Sequence, residues 1–116
     1  MSKKSTITIN IQLDAQNVPE TIEWMSTDNP QGEEMKDCKG MLLGLFDKDT
    51  MDTLKIDLWT KDMQVAEMDR FFYQNFRALA DTYFRATQNK ELAGQMQHFA
   101  NYFGEKTEVI PKPTSE

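Results

Sequence analysis

The chain has 116 residues, enough for one domain that buries a hydrophobic core, and its single cysteine rules out an internal disulfide. Thirteen basic and nineteen acidic residues give a formal net charge of −6. This charge argues against nucleic acid or an anionic membrane as the main partner, because either would attract a basic surface.

The sequence shows no targeting or membrane-spanning pattern. The N-terminal residues MSKKSTITIN lack the apolar stretch and the cleavage pattern of a secretory signal. The apolar run at residues 41–46 is far shorter than the roughly 20 residues that a membrane-spanning helix requires. A lone cysteine is typical of a reducing compartment. We therefore expect a cytoplasmic protein with no integral membrane segment.

Residues 5–13, STITINIQL, alternate apolar and polar side chains, which is the period-2 pattern of a strand with one buried face. Residues 21–27, TIEWMST, alternate in the same way around Ile22 and Trp24. The intervening DAQNVP contains turn-forming residues. Together these segments predict a β-hairpin.

Residues 28–40 are polar and contain two glycines and a proline, which predicts a loop, with a single helical turn around Glu33–Lys36. Residues 41–46, MLLGLF, are apolar on both faces and predict a strand covered on both sides or lying at an interface. After a turn at 47–52, residues 53–60 alternate again. These segments predict a second hairpin.

From residue 61 the apolar positions recur every three or four residues, which predicts an amphipathic helix. Its apolar stripe contains Val65, Met68, Phe72, Phe76, Leu79 and Tyr83. Thr60 or Asp62 would cap its start by accepting backbone hydrogen bonds. Asn89 offers a cap for a second helix, and Gly104 offers its stop.

The predicted fold class is α+β. Strands come first and helices follow, which indicates a four-stranded antiparallel sheet (two hairpins) followed by two C-terminal helices packed on one face. We expect residues 1–104 to form this single α+β domain. Residues 105–116 contain two prolines and few apolar side chains, which favours a mostly flexible C-terminal tail.

Five aspartates lie within residues 46–63, FDKDTMDTLKIDLWTKDM, where they suit a calcium loop, a metal-dependent site or a polar turn. They are Asp47, Asp49, Asp52, Asp57 and Asp62. A calcium loop starting at Asp47 would need a glycine in sixth place and a glutamate in twelfth, where the chain has Asp52 and Leu58. A turn aspartate can instead bond its own backbone two residues on. The pattern favours a polar turn and predicts no metal site.

Catalytic equipment is not visible in the sequence. His98 lies in a helical pattern, and Cys38 lies in a polar loop without a recognisable signature of a nucleophile. The chain has no phosphate-binding glycine motif. We therefore predict no catalytic residue and no cofactor, and expect a protein that is not an enzyme and works by binding other proteins.

Four residues are the candidates for a partner or oligomer surface, because their strands are apolar on more than one face. They are Met41, Leu43, Phe46 and Trp59. Ordinary core packing is the alternative for all four. The apolar side chains exceed what one small core needs, and this surplus predicts a homo-oligomer or a groove for unfolded clients.

Three segments carry a family resemblance: VPETIEW at 18–24, TLKIDLWTKDM at 53–63 and ADTYFRAT at 80–87. With the sequence around them they resemble the gliding-motility protein GldC of the Bacteroidetes, over roughly residues 5–104. The resemblance implies a small accessory protein of the gliding machinery and the associated export machinery, without enzymatic activity. It supplies no active-site residues.

A looser analogy concerns architecture alone. Four strands followed by two helices is similar to the order in the export chaperone SecB, whose subunits assemble into a tetramer with hydrophobic grooves. The alternative function is therefore a SecB-like cytosolic holdase for secreted clients.

Overall fold

The computed structural model describes residues 2–29 and 34–113. Its elements are β1 (Ile7–Leu13), β2 (Pro19–Ser26), β3 (Lys36–Cys38), β4 (Gly40–Phe46), β5 (Thr53–Trp59), α1 (Val65–Thr87) and α2 (Lys90–Lys106). The chain divides into two compact units, Met1–Met63 with the strands and Gln64–Glu116 with the helices. The α+β class with two C-terminal helices is confirmed. The packing of the helices on one face of a sheet stays a prediction.

The first hairpin forms as its alternating pattern predicts. Strands β1 and β2 pair antiparallel and place Ile11 opposite Ile22, which is buried. Asp14 organises the connecting loop, because its Oδ1 accepts hydrogen bonds from the backbone N–H groups of Gln16 and Val18 at 2.8 and 3.0 Å. The Val18 bond is the main cause that holds the pKa of Asp14 below its usual value.

The second hairpin is also confirmed, but the strands form two sheets and not one. One sheet has the order β1-β2-β3, and the other contains only β4 and β5. Lys39 is the single residue between β3 and β4. Cys38 pairs with Ile22 of β2, whereas the carbonyl of Lys39 accepts a hydrogen bond from the N–H of Thr60 at 2.8 Å. The prediction of one four-stranded sheet is wrong, because the chain pairs with β2 before Lys39 and with β5 after it.

The short strand β3 replaces part of the predicted loop. Lys36 pairs with Trp24, and Cys38 pairs with Ile22. The helical turn predicted around Glu33–Lys36 is therefore wrong at Lys36, while Glu33 lies outside the described residues.

Lys61 connects the end of β5 with the first hairpin. Its backbone N–H donates to the carbonyl of Pro19 at 3.1 Å. Its Nζ lies 3.2 Å from Asp14 Oδ2 and 3.3 Å from Glu20 Oε1. The bond to Asp14 is the main cause that raises the pKa of Lys61.

The N-cap of helix α1 lies two residues beyond Asp62, the later of the two predicted caps. Gln64 is the N-cap, and its backbone N–H donates to Glu67 Oε1 at 2.9 Å. Thr60 and Asp62 do not cap the helix; the Thr60 hydroxyl donates to Asp62 Oδ1 at 2.5 Å. The predicted cap is wrong because these two polar side chains bond each other.

The turn between the helices is short and fully capped. Gln88 ends α1 in the left-handed region, with φ 61°, and its N–H donates to the carbonyl of Phe84. The side chain of Asn89 then accepts a hydrogen bond from the N–H of Leu92 at 3.1 Å, which confirms the cap predicted for the second helix.

The helices pack along a seam of small residues around one tyrosine. Their buried residues are Tyr73, Ala80, Ala93, Ala100 and Gly104. A Cβ placed on Gly104 would lie only 2.7 Å from Cε1 of Tyr73, so this position needs a glycine for close approach. Helix α2 continues to Lys106, and the prediction that Gly104 stops it is wrong.

The chain turns back after α2. Glu108 adopts φ 63°, and the N–H of Ile110 donates to the carbonyl of Gly104 at 3.2 Å. The mobility of residues 105–116 stays a prediction, and residues 114–116 lie outside the described part of the chain.

Candidate interaction surface

The β4–β5 hairpin carries the four residues proposed from sequence for a partner surface. Antiparallel register places Met41 opposite Leu58, Leu43 opposite Ile56 and Leu45 opposite Leu54. Because directly opposed residues point to the same side of a sheet, these six side chains share one face. We call this the β4–β5 apolar face.

Exposure of the β4–β5 apolar face increases toward the turn. Met41, Leu43 and Leu58 are half-buried. At the turn end, Leu45 is 51% exposed and Leu54 is 59% exposed. The most accessible part of this face is therefore a pair of leucines that the sequence-based candidates did not include.

The opposite face of the hairpin mixes apolar and charged side chains. It contains Phe46, 64% exposed, and Trp59, 52% exposed. Lys55 and Asp57 lie between them along β5 and form a surface ion pair of 3.1 Å. The four candidates therefore divide between two faces, with Met41 and Leu43 on the apolar one.

The exposed leucines could have been found in the sequence. The alternation of TLKIDLW puts Leu54 on the same side as Ile56 and Leu58, and pairing outward from the turn brings Leu45 opposite Leu54. What the pattern could not supply is the degree of exposure.

Three of the five clustered aspartates, Asp47, Asp49 and Asp52, lie in the turn between β4 and β5. Asp47 Oδ1 accepts hydrogen bonds from the N–H groups of Asp49 and Thr50, each at 2.8 Å. These bonds, with Thr50 the stronger cause, hold the pKa of Asp47 below its usual value. Asp47 therefore acts as the polar-turn aspartate predicted from the sequence. Within residues 2–29 and 34–113, no group of three or more potential metal ligands comes together.

The surroundings of Cys38 disfavour the nucleophilic thiolate form. Burial raises the pKa of the half-buried Cys38 thiol, and the carboxylate of Asp37 adds to this effect. A thiol with a raised pKa stays protonated and is a poor nucleophile at neutral pH. The hydrogen bond from Thr60 holds the pKa of Asp62 below its usual value. His98 is exposed on α2.

The helical hairpin carries a second apolar surface. Phe76 packs edge-on against Phe99 and Phe103, with ring centroids 5.3 and 5.1 Å apart. The apolar stripe predicted for α1 is largely accessible, and Leu79 is 55% exposed. The helices therefore meet both through these aromatic rings and through the buried small-residue seam.

A shallow apolar groove of about 440 Å³ runs along this surface. It is lined by Phe76, Tyr83, Leu92, Gln95, Met96 and Phe99. Leu92 and Phe99 are each about half exposed. The groove offers an apolar contact area of the kind that amphipathic segments bind.

Residues 19–109 match the family model described as "Gliding motility-associated protein GldC-like". The chain belongs to the GldC-like family. The match extends from β2 through α2 and so includes residues of both compact units. It confirms the resemblance seen in the sequence.

No curated protein and no solved structure is significantly similar to this GldC-like chain. Among the described residues of the GldC-like chain, neither helix has the length and apolar character needed to cross a membrane.

Proposed function

We propose that this GldC-like chain is a non-enzymatic, cytoplasmic accessory protein of the bacterial gliding-motility machinery and its associated export apparatus. It works by binding a protein partner through the turn end of the β4–β5 apolar face. The family match supports the process. The observation that supports the surface is the opposed pair of leucines, Leu45 and Leu54, each more than half exposed.

The energetics favour a protein contact at this position. Full burial of a leucine side chain contributes about 1.5–3 kcal/mol, so covering the exposed halves of Leu45 and Leu54 is worth about 1 kcal/mol each. The half-buried Met41 and Leu43 continue the same face and extend the contact area. Phe46 and Trp59 lie on the opposite face of the hairpin, where they form the rim of the partner contact or a separate contact.

Genetic complementation tests the proposal. Deleting the gene in a gliding bacterium should abolish or reduce colony spreading, and the wild-type gene should restore it. Leu54→Gln should fail to restore spreading while the purified variant keeps its circular dichroism spectrum. The matched control is Leu79→Gln, since Leu79 is 55% exposed and belongs to helix α1 and not to the β4–β5 hairpin. Normal spreading of the deletion strain would reject the gliding role, and full rescue by Leu54→Gln would reject the surface.

Trp59 distinguishes a surface from a core role. A fully buried tryptophan costs about 3–5 kcal/mol when replaced by alanine. Because Trp59 is 52% exposed, we expect Trp59→Ala to lower the free energy of unfolding by about half that amount. Urea denaturation measures this change. A loss of the full amount would mark Trp59 as core.

A SecB-like holdase for secreted clients is the second candidate function. The groove at Phe76, Leu92 and Phe99 favours it, because an accessible apolar groove suits unfolded segments. The protein should then suppress aggregation of a chemically unfolded model substrate at stoichiometric ratio, and Phe99→Gln should weaken the suppression. Unchanged aggregation in the presence of the wild-type protein would reject the holdase function.

A further inference from the structure

Strand β1 is an open sheet edge. It pairs with β2 on one side, and no other described strand pairs with its outer side. Seven residues, ITINIQL, form this edge, and none of them is charged, glycine or proline. Ile7 is 69% exposed. Natural proteins usually protect a long edge with a charge, a proline or a bulge, because its free backbone groups pair with other strands.

Strands β3 and β5 carry charged residues, which β1 lacks. Strand β3 has three residues, two of them Lys36 and Asp37. Strand β5 carries Lys55 and Asp57. The register of β1 with β2 shifts only between Gln12 and Leu13, where β2 contains the extra residue Glu20. Most of the outer edge of β1 is therefore regular and uncharged.

The hydrogen-bonding pattern shows which main-chain groups are available. The N–H of Thr27 donates to the carbonyl of Thr6 at 3.1 Å, so Thr6 and Thr27 form a hydrogen-bonded pair. Hydrogen-bonded and non-hydrogen-bonded pairs alternate in an antiparallel ladder. The main-chain groups of Thr8 and Asn10 therefore face β2, whereas those of Ile9 and the other odd-numbered residues of β1 point outward.

We propose that the outer edge of β1 pairs antiparallel with β1 of a second copy of this chain, around a two-fold axis at Asn10. The two three-stranded sheets then join into one continuous sheet of six strands. This inference does not depend on the proposed function. It also uses a strand that precedes residues 19–109, the part matched by the family model.

The sequence of β1 is complementary to itself in this register. The axis at Asn10 places Ile9 opposite Ile11 and Ile7 opposite Leu13 of the second copy. All four residues have outward main-chain groups, so they supply the hydrogen-bonded pairs. On the other face, Thr8 meets Gln12, and Asn10 meets its own copy. Apolar side chains therefore meet apolar ones, and no like charges face each other.

Asn10, the residue at the proposed two-fold axis, provides a specific test. Asn10 is exposed and lies opposite Glu23 of β2, so Asn10→Lys adds a favourable cross-strand neighbour within the protomer and preserves its fold. In the dimer, the two lysines would face each other in a non-hydrogen-bonded pair, where Cα atoms are about 4.5 Å apart. We expect the dissociation constant of the dimer, measured by sedimentation equilibrium, to rise about tenfold or more.

Two further variants test the register. Gln12→Lys adds the same charge to the same face, but faces the neutral Thr8 of the second copy, and should change the dissociation constant much less. Asn10→Asp should also weaken the homodimer. A one-to-one mixture of Asn10→Lys and Asn10→Asp should form the heterodimer preferentially, as measured by native mass spectrometry, because opposite charges then meet at the axis.

Amide hydrogen exchange provides an independent readout. In the wild-type protein, the amides of Ile9 and Ile11 should become protected as the protein concentration rises. In Asn10→Lys at the same concentration they should exchange freely, while the amide of Thr8, two residues before Asn10, stays protected by β2. A wild-type monomer at high concentration would overturn the proposal. Equal effects of Asn10→Lys and Gln12→Lys, without heterodimer preference, would also overturn it.

Discussion

Two glycines of α2 differ in what an added methyl group would meet. A Cβ on Gly104 would lie 2.7 and 2.8 Å from ring atoms of Tyr73 and 3.0 Å from Ile110. A Cβ on Gly94 would meet no atom within 4 Å apart from its chain neighbours and the adjacent backbone of its own helix. Gly104→Ala and Gly94→Ala therefore make the same chemical change in the same helix with opposite steric consequences.

The expected magnitudes follow from two terms. Replacing a helical glycine by alanine stabilises by roughly 0.5–1 kcal/mol, so Gly94→Ala should raise the free energy of unfolding by that amount. The stabilisation from the alanine itself should be no larger in Gly104→Ala than in Gly94→Ala, because Gly104 lies near the helix end. The clash with the buried Tyr73 ring costs about 1–3 kcal/mol. Gly104→Ala should therefore be less stable than Gly94→Ala by about 1–3 kcal/mol.

Urea denaturation followed by circular dichroism at the helical band measures both variants. A shorter side chain at residue 73 supplies the control, because in a Tyr73→Leu background the penalty of Gly104→Ala should shrink. This double-mutant comparison isolates the contact between the two residues. Equal stabilities of Gly104→Ala and Gly94→Ala would refute the close helix approach at Gly104.

Two further changes test local features. Asn89→Ala should lower the free energy of unfolding by about 1 kcal/mol, because the N–H of Leu92 loses its acceptor, and thermal denaturation measures the loss; Asn89→Asp should retain most of the stability. Asp47→Asn tests the turn through its pH dependence. Since the folded pKa of Asp47 is lowered, its carboxylate stabilises the fold above the ordinary value of 3.8, and this contribution disappears as pH falls through the folded pKa. The melting temperature of Asp47→Asn should lie below that of the wild type at pH 7 and match it in strong acid; a gap that persists in acid would contradict the assignment.

Periodicity predicted the elements that bury or pair a regular set of side chains. Strands β1, β2 and β5 alternate clearly, β4 is a short run of apolar residues, and both helices repeat every three or four residues. Strand β3 has only the residues KDC, without any alternation, and exists because it pairs with β2. Such a strand depends on its neighbour and cannot be recognised from its own sequence.

Competition between polar side chains explains the displaced start of α1. Thr60 and Asp62 are both good cap residues in isolation. Their side chains satisfy each other, and the helix begins only after Gln64. Cap propensity identifies Thr60 and Asp62 as hydrogen-bonding residues, but it does not determine which groups their side chains bond to.

The hairpin that carries the four candidate residues was predicted from the sequence, and their role as a partner surface stays a prediction. The sequence placed Met41, Leu43, Phe46 and Trp59 on the second hairpin, where the structure also has them. Which side chains share a face follows from register, and the sequence contained that information. Exposure depends on what the rest of the fold covers, which alternation along one strand does not encode.

The arrangement of hairpins has a kinetic consequence. Strands β1 and β2, strands β4 and β5, and helices α1 and α2 are each neighbours along the chain and pair with each other. Contacts between residues close in sequence form fastest, because little chain must be ordered before they close.

The ion pairs of Lys61 are different, since they join residues 47 and 41 positions away, Asp14 and Glu20. We expect them to form only after the first hairpin has brought both carboxylates together. We therefore expect the hairpins to be formed in the transition state for folding. The Lys61 contacts should form late and should be the first to break when the strand unit unfolds.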